Sequence, residues 1–412
     1  VPTTTTAAYE RTDRPDRPAR IPEVDALRGF ALLGILLVNA LMMAGPYGTG
    51  GALDPDASTL DRTVEGLVQT FAVGKFYLMF SFLFGYSFTL QQASAAHDGA
   101  SPAPRMLRRT LGLLVLGVLH AVLLYTGDIL MTYALLGLIL IAARNCAPGT
   151  ALRAARIVYG CTSAFLLLLA VGSVLVPDAE ADAELTSGFA ALVADYRGDA
   201  ASVVRANLGQ LPDALLAVPM MGGFVLAAFL TGMYCGKRRL LADTARYTAR
   251  YTARMRRICV LGVAVGLPGS LFMALAAGGV PGPRWSLLGA VVGMVTAPAL
   301  TAAYVCGLLL FMKTARGGRA ALLLAPAGRM ALTNYLSQSL VMALVFTAYG
   351  LALYDRLGAA VVVPGAILLY GAQLVLSARL MARYRYGPVE WLLRAVTLAR
   401  LPRRRGPEPS AP

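Results

Sequence analysis

Two histidines occur in the chain, His97 and His120, and only His120 falls inside a long apolar run, in Gly117-Val-Leu-His120-Ala-Val-Leu-Leu-Tyr125-Thr-Gly-Asp128. An acid, Asp128, follows it two helical turns later at a Gly-Asp break. A carboxylate that orients an imidazole is the usual construction of a general base, so His120 and Asp128 are the first candidates for chemistry; a polar core group with satisfied hydrogen bonds is the alternative. A second polar set opens the first apolar run: Asp25-Ala-Leu-Arg28-Gly-Phe, then Asn39. Asn39 lies eleven residues after Arg28, about 16 Å further along a helix at about 1.5 Å per residue. An amide at that depth either polarises a reacting carbonyl or joins two helices. Polar and charged groups in hydrocarbon are costly and usually functional.

A third set lies in Gly328-Arg-Met-Ala-Leu-Thr333-Asn334-Tyr335-Leu-Ser337-Gln338-Ser339. Asn334 and Gln338 share a helix face, as do Tyr335 and Ser339. Such a helix must face the bundle or a wet cavity, as interhelical glue or as the wall of a path for a polar substrate. Further on, Tyr386-Gly-Pro388-Val-Glu390-Trp391-Leu-Leu-Arg394 predicts a short helix opened by Pro388. Glu390 and Arg394 have the spacing of a surface ion pair, and Trp391 suits a membrane interface. Lys75, at the start of Gly74-Lys-Phe-Tyr-Leu-Met-Phe, is expected to snorkel toward water.

The elements that must position these residues are membrane helices. Of 412 residues, 57% are hydrophobic and 14% charged, and mean hydropathy is +0.62. A soluble domain of this size needs more polar surface. Ten apolar runs are predicted to span, at 26–45, 67–90, 107–126, 128–143, 155–176, 214–235, 258–277, 286–312, 330–350 and 359–382, the fourth being short. Lys and Arg gather in alternate loops, which predicts both termini in the cytoplasm. The expected fold is an all-α polytopic bundle of about ten transmembrane helices in the cell membrane.

Residues 1–20 read as a disordered tail with no removable signal peptide following. Residues 21–176 and 213–396 form two transmembrane halves, 177–212 an extracytoplasmic connection and 397–412 a basic tail. The net charge of +15 fits cytoplasmic loops rather than a nucleic-acid partner. Arg246, Arg250 and Arg254 recur every fourth residue, as a stripe for anionic lipid or for a phosphate-bearing donor. The five cysteines are scattered without metal-ligand spacing, so neither a disulfide framework nor a metal is expected.

Taken in order, Asp25-Ala-Leu-Arg28-Gly-Phe…Asn39, Phe80-Ser-Phe-Leu-Phe-Gly85, Leu119-His120…Gly127-Asp128, Gly328-Arg-Met-Ala-Leu-Thr-Asn334-Tyr335 and Gly387-Pro388-Val-Glu390-Trp391 resemble the YeiB family, whose C-terminal half is the DUF418 domain. The chain has Gly85-Tyr-Ser87 where that family usually shows Gly-Ala or Gly-Tyr-Gly. The N-terminal block is more distantly similar to membrane acyltransferases of the heparan-glucosaminide acetyltransferase type. That resemblance implies transfer from cytosolic acyl-CoA, with no metal, to an acceptor across the membrane, using an intramembrane His with an Asn. On this chain His120, Asp128 and Asn39 would be catalytic. Asp25, Arg28, Asn334, Tyr335, Gln338, Ser339, Glu390, Trp391 and Arg394 would bind donor or substrate. The acceptor would be a small molecule, sugar, peptide or lipid, and membrane lipid and a second copy of the chain are the other expected partners. A transporter of a small polar or lipid-like solute is the alternative, weakened by the lack of a convincing repeat between 26–176 and 214–382. A structural or sensor protein without turnover is a third reading.

Overall fold

A computed structural model describes residues 21–47, 54, 57–99, 101–175, 181–241 and 249–402. The expected disorder of 1–20, most of the basic C-terminal tail and Arg246 of the arginine stripe lie outside them.

The described residues are helical, without an extended strand. In chain order the helices are α1 (Pro22–Ala44), α2 (Thr59–Phe71), α3 (Lys75–His97), α4 (Pro102–Leu123), α5 (Ile129–Ala142), α6 (Pro148–Leu175), α7 (Ala181–Arg197), α8 (Ala200–Lys237), α9 (Ala249–Ala277), α10 (Ser286–Met312), α11 (Ala315–Arg329), α12 (Ala331–Phe346), α13 (Ala359–Arg383) and α14 (Pro388–Leu398). Proline sits in the first turn of α1, α4 and α14, where its missing N–H costs nothing. Side chains cap others: Ser58 and Asp61 close a reciprocal box on α2, and Asp199 and Ser202 one on α8.

Among the described residues, seven segments are long and apolar enough to cross a membrane: α1, α2–α3 together, α4, α6, α9, the α10 segment and α13. An eighth arises if α8, bent by 57° between Val218 and Met221, is one span. The runs expected at 128–143 and 330–350 form shorter apolar helices, α5 with 14 residues and α12 with 16. At about 1.5 Å per residue these reach about 21 and 24 Å, less than a hydrocarbon core of about 30 Å. The chain is a multi-pass membrane protein by length and composition of its helices. The connection 177–212 is itself helical where described: it holds α7 and the first turns of α8, which continues past 212 without a break there.

The core centres on α1, which packs against α3, α10, α11, α12 and α13. The crossing of α1 with α11 is backbone to backbone. A Cβ on Gly328 would lie 1.8 Å from the carbonyl oxygen of Asp25, and one on Gly29 2.3 Å from that of Leu324. Only glycine permits backbones this close. Leucines and valines of α6, α9 and α13 face outward, as lipid-facing helices require.

Lys75 does not snorkel. It is 0% exposed, and its Nζ donates to the carbonyl of Gln69 at 3.1 Å. Gly74, with φ at 85°, turns the chain between α2 and α3, and this brings the Gln69 carbonyl of α2 onto the Lys75 side chain.

Candidate functional site

His120 lies in the last turn of α4. Its carbonyl accepts from the N–H groups of Leu124 and Tyr125, both at 2.9 Å, which ends the helix. The chain then reverses, and Asp128 caps α5: its Oδ2 accepts from the N–H of Met131 at 2.7 Å. The other carboxylate oxygen, Oδ1, lies 3.0 Å from His120 Nδ1, with the two side chains 1% and 0% exposed. This approach is off the line of an ideal hydrogen bond, so it is a close polar contact rather than an aligned donor and acceptor. The same Oδ1 accepts from the Tyr335 hydroxyl at 3.3 Å. The rings of His120 and Tyr335 are 5.1 Å apart, and Tyr125 stands perpendicular to His120 at 6.4 Å. His120 Nε2 is buried with no hydrogen-bond partner among the described residues, and buried polar atoms of that kind call for an explanation.

Gly117 permits this geometry. A Cβ there would meet the Met131 nitrogen at 2.5 Å and Asp128 Oδ2 at 2.8 Å. Without a side chain at 117, the first turn of α5 settles against α4 one turn below His120.

On the arginine-rich side of the pair lies a cavity of about 360 Å³. Arg28, Arg105, Arg109, Arg329 and Arg394 line it, its apolar wall includes Leu83 and Phe84, and it reaches Tyr133 and Tyr335. Asp98 and Glu390 are its only acids among the described residues. Asp25 holds Arg28 at 2.7 Å, and the guanidinium also donates to the Ser87 hydroxyl. Ser87 is therefore a partner of the Arg28 guanidinium rather than a small packing residue. Arg105 pairs with Asp98 at 2.9 Å, and Arg109 stands over the Phe84 ring at 5.2 Å. A second cavity of about 370 Å³ lies on the other side, lined by Met42, Leu124, Tyr125, Thr126 and Gly127 among others. The His120–Asp128 pair thus sits between two cavities, with Tyr335 in the wall of one and Tyr125 in the wall of the other.

The remaining expected residues divide. Asn334 and Gln338 join α12 to α13. Asn334 Nδ2 donates to the carbonyl of Ala327 at 3.1 Å and to Ser377 Oγ at 3.0 Å, and Gln338 Nε2 donates to Gln373 Oε1 at 2.7 Å. Gln373 in turn donates to the Asn334 carbonyl at 3.1 Å and to Ser337 Oγ at 2.9 Å. Ser339 donates to the Tyr335 carbonyl at 3.4 Å. Asn39 is half-buried on α1 and has no hydrogen bond to the His120–Asp128 pair.

Glu390 does not pair with Arg394. Its Oε1 accepts from the N–H groups of Leu332 at 2.7 Å and Thr333 at 2.9 Å, and its Oε2 from the Thr333 hydroxyl at 2.5 Å. It thereby caps α12, whose preceding residue, Met330, supplies no side-chain cap. Burial pushes its carboxyl above the ordinary range, and the bonds from Thr333 and Leu332 offset this only in part. Arg394 instead stands over the Tyr386 ring at 4.9 Å, and the Trp391 indole donates to the carbonyl of Pro402 at 2.9 Å.

The sequence marked Arg105, Arg109 and Arg329 only collectively, as cytoplasmic loop arginines suited to a donor's phosphates, and gave Ser87, Gln373 and Ser377 no role. Among these arginines only Arg329, two residues before α12, stood beside a polar helix face in the sequence; Arg105 and Arg109 reach the cavity through the fold. For Gln373 and Ser377, the signal was a second polar pair four residues apart on an apolar helix.

Fold and site together define a multi-pass helical membrane protein with a buried imidazole–carboxylate pair between two cavities. Residues 235–400 match the family described as "Protein of unknown function (DUF418)". The chain is 29% identical over 393 residues to "Uncharacterized protein YxaH" of Bacillus subtilis (strain 168), which covers 92% of this chain and 94% of that protein. It is also 29% identical over 397 residues to "Uncharacterized protein YeiB" of Escherichia coli (strain K12), covering 91% and 95%. Over residues 235–400 the chain is thus similar to the DUF418 family, and over most of its length to YxaH and YeiB.

Proposed function

We propose that this protein is an integral membrane acyltransferase of the cell membrane, moving an acyl group from cytosolic acyl-CoA to a hydroxyl or amine at or across the bilayer. The observation that carries this reading is the His120–Asp128 pair held between two cavities, one of them lined by five arginines. In this reading both termini are cytoplasmic and all ten apolar helical segments cross or enter the membrane. The arginine-lined cavity then opens to the cytoplasm, where guanidinium groups suit the phosphates of a CoA donor. Its apolar depth suits the pantetheine arm and acyl group. Asp128 orients His120 so that Nε2 takes the acceptor proton, and His120 then gives it to the leaving thiolate. Asn39 is the asparagine left to polarise the thioester carbonyl, because the Asn334 amide is engaged with Ala327 and Ser377. The distant likeness of the N-terminal block to heparan-glucosaminide-type acetyltransferases points the same way.

Transport of a small polar or lipid-like solute is the second reading. It is favoured by the 57° break in α8 and by two cavities on opposite sides of a closed layer, as alternating access requires. Thermal stabilisation of the detergent-purified protein by a panel of acyl-CoAs, with free CoA and ATP as controls, separates the two. Acyl transfer predicts stabilisation by an acyl-CoA beyond both controls, with the shift lost in Arg28→Ala. If no CoA species shifts the transition at millimolar concentration, acyl transfer is wrong and transport takes its place.

A further inference from the structure

The second cavity has a different chemistry from the first. Among its described lining residues, Asp213 is the only charged group, and no Lys or Arg reaches it. Asp213 is exposed on α8 and has no ion-pair or hydrogen-bond partner among the described residues. Tyr125, Phe189, Tyr196 and Tyr354 supply aromatic walls, with the Tyr196 and Tyr354 rings 4.7 Å apart. The volume lies toward the lower end of small-molecule pockets, roughly 300–1,000 Å³.

The polar part of the wall is ordered so that it accepts. Asn207, 1% exposed, directs Nδ2 at the Val122 carbonyl at 3.1 Å, which fixes its amide. Its Oδ1 therefore receives the Tyr196 hydroxyl at 2.8 Å and the Thr126 hydroxyl at 3.2 Å. With those two protons committed, Tyr196 and Thr126 offer lone pairs, and Tyr196 already accepts from Gln210 Nε2 at 2.9 Å. A ligand that donates hydrogen bonds is matched by this wall, and one that carries a carboxylate or phosphate is not. Aromatic faces beside a lone carboxylate attract an organic cation.

We infer that the second cavity binds an organic ammonium ion: a primary amine on a small aromatic or apolar body. Its role as acceptor rests on the acyl-transfer reading; its role as a binding site does not. As acceptor, the ammonium first gives one proton to water. The amine nitrogen then bonds to the acyl carbon as the carbon–sulfur bond breaks. The second proton passes to His120 Nε2 and on to the CoA thiolate, leaving an amide and free CoA. Tyr125 and Thr126 place the cavity on the same turn as Asp128, so the amine enters beside the pair.

The test is equilibrium binding of three soluble probes of one shape to the purified full chain: tyramine, 4-ethylphenol and 3-(4-hydroxyphenyl)propionate. Tyramine is expected to bind at least tenfold more tightly than the neutral phenol, with the carboxylate weakest. Asp213→Asn, a change at an exposed position, should remove the tyramine advantage and leave both the phenol and the acyl-CoA stabilisation unchanged. Carboxylate binding equal to that of tyramine, no tyramine binding at millimolar concentration, or an unaltered tyramine affinity in Asp213→Asn would each overturn the inference. The probe comparison on the unaltered chain decides the matter without a variant. Tyramine binding without any acyl-CoA effect would leave the site standing and remove acyl transfer.

Discussion

The His120 side chain is where function and stability separate most cleanly. Its Nε2 makes no protein hydrogen bond among the described residues, so His120→Gln removes the base at little structural cost. Acyl transfer from labelled acyl-CoA in proteoliposomes should fall to background while the unfolding temperature stays within a few degrees; full retained activity would remove His120 from the mechanism. Tyr335→Phe deletes one 3.3 Å bond to Asp128 and should cost about 1 kcal/mol of stability, with a smaller loss of rate. The pair itself was legible in the sequence, because an imidazole and a carboxylate bracket a Gly-containing break within one short stretch. The third member, Tyr335, lies 207 residues away from Asp128. Its own sequence context showed a polar helix face but not what that face meets. Ser87 was illegible for a related reason: a hydroxyl on an apolar helix reads as a small packing residue until the guanidinium it receives is placed.

Among the elements, α4 and α5 are tied by the missing side chain at Gly117. Gly117→Ala puts a methyl 2.5 Å from the Met131 nitrogen, so α5 must move. The expected result is overpacking of about 1–3 kcal/mol, read as a lowered unfolding temperature, with activity lost beyond what stability explains because the His120–Asp128 contact opens. The cap on α12 makes a pH-dependent counterpart. Burial raises the Glu390 carboxyl in the folded protein. Its contribution to stability is therefore complete below the unfolded value of about 4.3 and is lost as pH rises through the folded value. Glu390→Gln keeps an acceptor for Leu332 and Thr333 and does not ionise. Denaturation curves should show that variant gaining on the wild type from acid toward neutral pH, whereas Glu390→Ala should be less stable throughout by about 1 kcal/mol. The helices themselves follow the apolar runs and proline starts that the sequence displays. The capping of α12 by α14 does not, since i,i+4 spacing describes neighbours on one helix and is blind to a helix end that folding brings alongside.

At the scale of the molecule, charge is distributed by cavity as well as by loop. Five arginines line the first cavity and one carboxylate serves the second. Binding of a CoA donor should therefore weaken steeply with added salt, which titration of the thermal shift at rising sodium chloride would reveal; a salt-independent shift would exclude the arginines as the donor site. Reporter fusions at either end should both be active in the cytoplasm. Composition alone made the membrane class and most of the spans legible. The two cavities were beyond it, since each depends on how helices distant in sequence lie together.

The contact between α1 and α11 has a mechanical consequence. Backbone meets backbone at Gly29 and Gly328, so the two helices behind that wall of the arginine-lined cavity cannot part without losing this contact. Across the cavity, α14 is held by side chains: Arg108 donates to the Thr397 carbonyl at 3.0 Å, and Glu390 reaches α12. Side chains reorient far faster than packed helices separate. Breathing wide enough to admit a nucleotide-tailed thioester would then be carried by α14, swinging as a flap on a fixed jamb. Amide hydrogen exchange should run early along Pro388–Leu398 and late across the Gly29–Gly328 crossing, and bound acyl-CoA should slow the first while leaving the second unchanged.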